Sequence, residues 1–146
     1  MAATITLRPI TADNWHECIR LEPGEDQKHF VASNLYSLAE SRFRPKLAPL
    51  GIYHGDEMVG FVMYGLDQDD GNWWIQRIMV AEMHQGKGYG RAALMEVIRR
   101  LRAMPDCGRI TLSFNPENTR AEKFYESLGF RKTGEVISGE VVACLE

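Results

Sequence analysis

The stretch Gln85-Gly86-Lys87-Gly88-Tyr89-Gly90-Arg91 is where residue types and spacing first suggest chemistry. Three glycines alternate with other residues shortly after the β-rich run Ile78-Met79-Val80, and a helical pattern begins at once. The first turn of a helix has N–H groups without internal partners, and the helix dipole is positive there. Glycines let a phosphate approach that backbone without meeting a Cβ. Lys87 and Arg91 add positive charge one turn apart. Together these residues predict a cradle for a phosphate or pyrophosphate. A dinucleotide fingerprint would place its third glycine at Arg91 and would open a βαβ unit, but this stretch lies in mid-chain. A nucleoside-triphosphate loop needs an earlier glycine at the right spacing and a Ser or Thr after the Gly-Lys pair, and Gly86-Lys87 has neither. The alternative reading is a plain tight turn with glycine caps.

The elements that must position this loop follow from periodicity. Thr4 to Pro9 alternates and stops at proline, which predicts a short strand. Trp15, Cys18 and Ile19 have helical spacing within 12–21, and Val31, Leu35 and Leu38 predict a second helix over 27–42. Between them Glu22-Pro23-Gly24-Glu25-Asp26 reads as an acidic turn. Pro45 and Pro49 end that region, and strands are expected over 50–54, 58–66 and 73–80, the last two joined by an acidic hairpin loop at 67–71. The glycine loop opens a long helix to about Met104, with Leu94, Val97, Ile98 and Leu101 on one face. A strand over 109–114 and a helix over 119–128 follow. In that helix Ala121, Phe124, Tyr125 and Leu128 face the core, and Thr119 with Glu122 fits a capping box. Arg131 to Leu145 reads as a closing hairpin around Ser138-Gly139. Helices interleaved with a mostly antiparallel sheet make an α/β (α+β) fold, expected here as one domain over 1–146.

Composition narrows the partners. The 146 residues are 45% hydrophobic and 25% charged, as in an ordinary globular domain. A net charge of -3 disfavours a nucleic-acid partner. The charge is uneven: residues 1–70 hold eleven acids and six bases (-5), and residues 71–146 hold nine acids and eleven bases (+2). That split is consistent with two ligands of opposite sign, with chance as the alternative. Cys18, Cys107 and Cys144 are widely spaced and unpaired in sequence, so no metal site or disulfide framework is expected. MAATITLRP has no apolar leader segment, and no apolar run approaches the roughly 18 residues that span a membrane. A cytoplasmic protein without a membrane partner is the expectation.

Gln85-x-x-Gly88-x-Gly90 after a strand resembles the acetyl-CoA loop of the GNAT family of N-acetyltransferases. Asn118-Thr119-Arg120-Ala121-Glu122-Lys123-Phe124-Tyr125-Glu126-Ser127-Leu128-Gly129-Phe130 resembles the same family's last helix and its LGF ending. The resemblance covers the chain from about Leu50 onward and implies a twisted sheet of about seven strands with about four helices. It implies acetyl-CoA as co-substrate, with the backbone of Ile78, Met79 and Val80 pairing with the pantetheine arm. The amides of Gln85, Gly86, Lys87, Gly88, Tyr89, Gly90 and Arg91 would hold the pyrophosphate in the gap where two strands splay. Asn118 would bond the pantetheine or the nearby backbone. Tyr125, which periodicity alone reads as a core residue, would be the catalytic acid that protonates the departing thiolate. An N–H on the 78–80 strand would stabilise the charge on the acyl oxygen.

Within that family, Gly51-Ile52-Tyr53, the run Val59 to Leu66, Trp74-Ile75-Gln76-Arg77 and the segment Gln27 to Ser33 resemble the spermine/spermidine acetyltransferases of bacteria. The implied acceptor is a small-molecule amine, a polyamine such as spermidine or spermine, which an acidic front half suits. The alternatives are another acceptor (a protein N-terminus, an amino acid or an aminoglycoside) and a non-catalytic acyl-CoA sensor. Glu22, Glu25 and Asp26 in the first inter-helical loop, with Trp74 and Gln76, are the candidate acceptor contacts. The family position of Gln76 is often acidic, so its amide leaves this strand without an obvious carboxylate base. His84 is expected to be exposed. The terminal strands over 131–145 are a candidate homodimer edge.

Overall fold

The computed structural model describes residues 4–146; Met1–Ala3, part of the stretch read for a leader, lie outside the described residues. In chain order the elements are β1 (Thr6–Pro9), α1 (Trp15–Arg20), α2 (Asn34–Phe43), β2 (Leu47–His54), β3 (Glu57–Leu66), β4 (Trp73–Val80), α3 (Tyr89–Arg102), β5 (Ile110–Phe114), α4 (Thr119–Ser127), β6 (Arg131–Ile137) and β7 (Glu140–Leu145), with a 3-10 turn at Glu82–His84 before α3. The strands form one sheet in the order β1-β2-β3-β4-β5-β7-β6. This is the mixed seven-stranded sheet with four helices that the sequence predicts.

Central β3 is covered on both faces, which explains its nearly unbroken apolar run. One face carries the larger core, where α3 inserts Ala93, Leu94, Val97 and Leu101 against Ile52, Val62 and Ile110. The other face packs Phe61, Met58, Met63 and Met79 against Cys18 of α1. Among the described residues no helix is long and apolar enough to cross a membrane.

Every strand pair is antiparallel except β4 with β5, and that parallel pair holds at only two positions, Trp73 with Ile110 and Trp74 with Thr111. On the β3 side, Met63 faces Arg77 and Tyr64 faces Ile75, which leaves Gln76 as the extra residue of a β-bulge. A bulge bends its strand and increases the local twist. The bulge coincides with the parting of β4 from β5, and the sheet opens into a gap there.

Two expectations are corrected. The second helix begins at Asn34 and not at Gln27. Ser33 is extended (φ -64, ψ 157) and its Oγ accepts from the Tyr36 N–H, so it caps the helix. Residues 24–30 instead form turns closed by Gln27 and Lys28 N–H bonds to the Gly24 carbonyl. The face of α2 also differs: Leu35 is 58% exposed, whereas Asn34 and Ser37 are buried. Asn34 is held there because its Nδ2 donates to the Cys18 carbonyl at 2.9 Å. Second, β2 begins at Leu47 and passes through Pro49. The Pro49 carbonyl accepts from Ile10 N–H, so its nitrogen faces the same side, just past the end of β1, where no ladder donor is needed.

Candidate active site

The glycine loop adopts the backbone that its composition allows. Gly86 and Gly88 have φ of +79° and +84°, and Gly88 is the N-cap of α3 with no side chain to occupy the freed amides. The first helical bond runs from Ala92 N–H to the Gly88 carbonyl, so the amides of the preceding turn have no helical acceptor. Gln85 anchors the loop to β4 by donating from Nε2 to the Val80 carbonyl at 3.0 Å. That bond also orients the strand edge. Ala81 N–H donates to Val59 on β3, so the alternate residues Val80 and Ile78 turn their main-chain groups away from β3, toward the gap.

A cavity of about 380 Å³ occupies this region, lined by Ile78, Met79, Val80, Gln85, Gly86, Gly88, Tyr89, Gly90 and Arg91 on one side and by Asn118 and Tyr125 on the other. Ten of the eleven residues expected to hold the cofactor thus share one cleft with Tyr125. Lys87 is exposed and does not line it. His84 is buried and lines the cleft, contrary to its expected exposure. The 3-10 turn tucks its ring toward Tyr89, with Nε2 3.4 Å from a Glu57 carboxylate oxygen.

A second cavity of about 230 Å³ lies in the gap, bounded by Gln76, Arg77, Ser113, Asn115 and Glu140 and overhung by Phe30, Val31 and Ala32 from the α1–α2 connection. Val31, Ile78, Asn118, Ala121 and Tyr125 line both cavities. Tyr125 therefore stands at their junction. Its ring packs against Phe114, Phe124 and Phe130 at centroid distances of 5.8, 5.5 and 6.1 Å. Burial, with a smaller contribution from the charge of Glu140, pushes the phenol up to about 12 and keeps it protonated.

Asn118 caps α4, with Oδ1 accepting from Ala121 N–H at 3.2 Å. The cap is one residue earlier than the capping box read from Thr119 and Glu122, because Glu122 turns instead to Lys132 at 3.0 Å. Asn118 also exchanges two hydrogen bonds with Gln27, at 3.1 and 3.3 Å, which join the α1–α2 connection to α4 beside the cleft.

The candidate acceptor contacts scatter. Gln76 lines the second cavity. Trp74 is buried and donates from Nε1 to Asp70 at 2.9 Å, away from both cavities. Glu22 and Glu25 pair with Lys28, and Asp26 with Arg120, and none of these three acids lines either cavity. Sequence reading missed Glu140, Arg77, Ser113 and Gln27 as cavity residues. Glu140 carries no motif; it starts β7 two residues before Val142, which Ser113 faces, so its contact with Ser113 exists only once β5 and β7 pair. Among the described residues no cluster of three His, Cys, Asp or Glu is placed to hold a metal ion.

The cleft suits acetyl-CoA. It has a Cβ-free, positive-φ cap with free amides for a pyrophosphate, an unpaired strand edge for an amide-bearing arm, and a neutral phenol at its inner end. The comparisons agree. The model of the acetyltransferase (GNAT) family matches residues 10–130. The spermine/spermidine N(1)-acetyltransferase of Bacillus subtilis is 31% identical, over 98% of this chain and 99% of that protein. Two solved structures share the fold. One is a spermidine N-acetyltransferase from Vibrio cholerae in complex with CoA and spermine (TM-score 0.74, 18% identity, covering 96% of this chain and 92% of that one). The other is an aminoglycoside acetyltransferase in complex with coenzyme A (TM-score 0.79, 19% identity, 97% and 94%). A matched family model, a full-length relative and a cleft that fits the donor lead to one conclusion: the chain belongs to the GNAT acetyltransferase family and is an N-acetyltransferase with acetyl-CoA as co-substrate.

Proposed function

We propose that the acceptor is a small cationic amine of the polyamine class, such as spermidine or spermine, and that Tyr125 is the acid for the departing thiolate. The observation that carries this reading is the place of Tyr125, a protonated phenol where the donor cleft meets the second cavity. Acetyl-CoA supplies the thioester that the amine attacks. The amides that open α3 hold its pyrophosphate, and the outward main-chain groups of Ile78 and Val80 hold its arm. The free N–H groups on that edge are the chain's donors for the charge that develops on the acyl oxygen. The amine enters from the second cavity and its nitrogen bonds to the acyl carbon as the C–S bond breaks. Tyr125 donates a hydrogen bond to the departing sulfur, which ends as the thiol with the proton that the nitrogen sheds.

The charge of that cavity supports a cationic acceptor. Arg77 is the cation that lines it, and its guanidinium is held at 3.1 Å by Glu40, so it is already neutralised. Glu140 has no such partner within 4 Å among the described residues. An acceptor bearing a carboxylate is the second reading, favoured by Arg77 itself, but the Glu40 pair weighs against it. The relative named for spermine and spermidine points the same way as Glu140.

The test is release of free thiol from acetyl-CoA with spermidine, spermine, lysine, a short peptide and an aminoglycoside. Selective turnover of the two polyamines is expected. Turnover confined to lysine, the peptide or the aminoglycoside would overturn the polyamine assignment.

A further inference from the structure

We propose that Glu140 determines acceptor specificity: its carboxylate holds a second, protonated nitrogen of the acceptor while the reacting nitrogen faces Tyr125. The inference rests on the acceptor reading above and assigns it to a residue.

The argument begins with charge compensation. Several carboxylates have a cation of their own. Glu40 has Arg77, Glu22 and Glu25 have Lys28, Asp26 has Arg120, and Glu122 has Lys132. Glu140 lines the second cavity, is half-buried, and has no Lys, Arg or His within 4 Å among the described residues. It is also the one carboxylate among the described residues that line this cavity. A half-buried carboxylate held by one hydroxyl and no counter-ion has lost hydration without charge compensation, so a cation entering the cavity lowers its energy.

Geometry adds direction. Ser113 donates from Oγ to one Glu140 oxygen at 2.7 Å, across the β5–β7 pair. That bond holds the carboxylate in place between two strands, a firmer support than the turns that carry Glu25 and Asp26. Its second oxygen accepts no protein hydrogen bond among the described residues. The carboxylate is close enough for its charge to act on the Tyr125 phenol. A cation bound at Glu140 is therefore beside the acyl-transfer centre and inside the same cavity. A monoamine has only the nitrogen that must react, and that nitrogen must arrive neutral. A diamine or polyamine has a further ammonium that can remain charged, and this is the class Glu140 recognises.

The experiment compares wild type, Glu140→Gln and Ser113→Ala with spermidine, 1,4-diaminobutane and butylamine as acceptors. Glu140→Gln keeps an acceptor oxygen for Ser113 and removes only the charge. The expected result is a rise of about 10- to 100-fold in KM for both polyamine-type acceptors, the range of a lost charge-assisted hydrogen bond. The kcat/KM for butylamine and the KM for acetyl-CoA stay within about threefold. Ser113→Ala, which frees the carboxylate without discharging it, gives a smaller rise in the same direction. Equal losses for butylamine and spermidine, a matching rise in acetyl-CoA KM, or no change for any acceptor would overturn the assignment. If wild type turns over none of the three amines, the acceptor reading fails separately. Calorimetric binding of spermidine then decides Glu140 on its own: tenfold weaker binding by Glu140→Gln supports the site, and equal binding refutes it.

Discussion

Replacing Tyr125 with Phe removes one hydroxyl and leaves the aromatic packing against Phe114, Phe124 and Phe130 intact. Neither burial nor Glu140 lets the phenol ionise until about pH 12. An ordinary thiol ionises near 8.5, so complete proton transfer from this phenol to a thiolate is uphill by about 3.5 units, or about 5 kcal/mol. The phenol therefore stabilises the departing sulfur mainly as a hydrogen-bond donor to developing charge. A hydrogen bond to a charged group contributes about 1.5–3 kcal/mol. That predicts a fall in kcat of about 10- to 150-fold for Tyr125→Phe, below the roughly 10⁴-fold ceiling of full acid catalysis.

The assay is thiol release at saturating acetyl-CoA and amine between pH 7 and 10. The KM for acetyl-CoA should stay within about threefold, because the variant keeps the whole cleft lining. The ratio of wild-type to variant kcat should be flat across that window, since the phenol stays protonated throughout it. A kcat within threefold of wild type would refute the acid role, and so would a loss confined to acetyl-CoA binding. A ratio that collapses toward one between pH 8 and 10 would refute the protonated state on which the magnitude depends.

Two further perturbations follow from the same geometry. Gly88→Val places a β-branched side chain at φ +84° and covers the amides that open α3, so acetyl-CoA binding measured by calorimetry should be lost; retained affinity would refute the cradle. Alkaline stability should depend on Cys18, which is fully buried and whose thiol burial pushes up to about 12 from 9. The unfolded chain releases that proton first, so native stability falls as pH rises from 9 toward 12. At about 1.4 kcal/mol per unit, the wild type should lose up to about 2 kcal/mol more than Cys18→Ala between pH 8 and 10.5. Urea midpoints at the two pH values measure this, and equal losses in both proteins would contradict it.

Much of this site could be read from the sequence because its parts are local. The Gly86–Gly90 loop, the 78–80 strand and the helix from Thr119 each bear their signature within a few residues, and the structure brings them into one cleft. The start of α2 was not legible by apolar spacing, because Asn34 and Ser37 take the buried face and Asn34 is held there by a bond to a residue sixteen positions away. The bulge at Gln76 is invisible for a related reason. It is a mismatch between two strands, and a single strand read alone has no register. His84 looked like a loop residue, and its burial depends on Tyr89 and Glu57 closing around it.

The acceptor side shows why a charge count is a poor guide to a binding site. Glu22, Glu25 and Asp26 are candidates by their place in the first inter-helical loop, and they belong to the half of the chain whose balance is -5. All three are exposed, and Lys28 and Arg120 already lie beside them. Exposed pairs of this kind are screened by solvent and leave little field to attract a ligand. Glu140 belongs to the half of the chain whose balance is +2, yet it lies in a cavity where the lining cation Arg77 is taken by Glu40. A charge attracts a ligand when it is desolvated and uncompensated, and both conditions are created by folding. Acceptor choice in this chain should therefore respond to Glu140→Gln and be nearly indifferent to Glu25→Gln, although Glu25→Gln changes the net charge of the acidic half by the same amount.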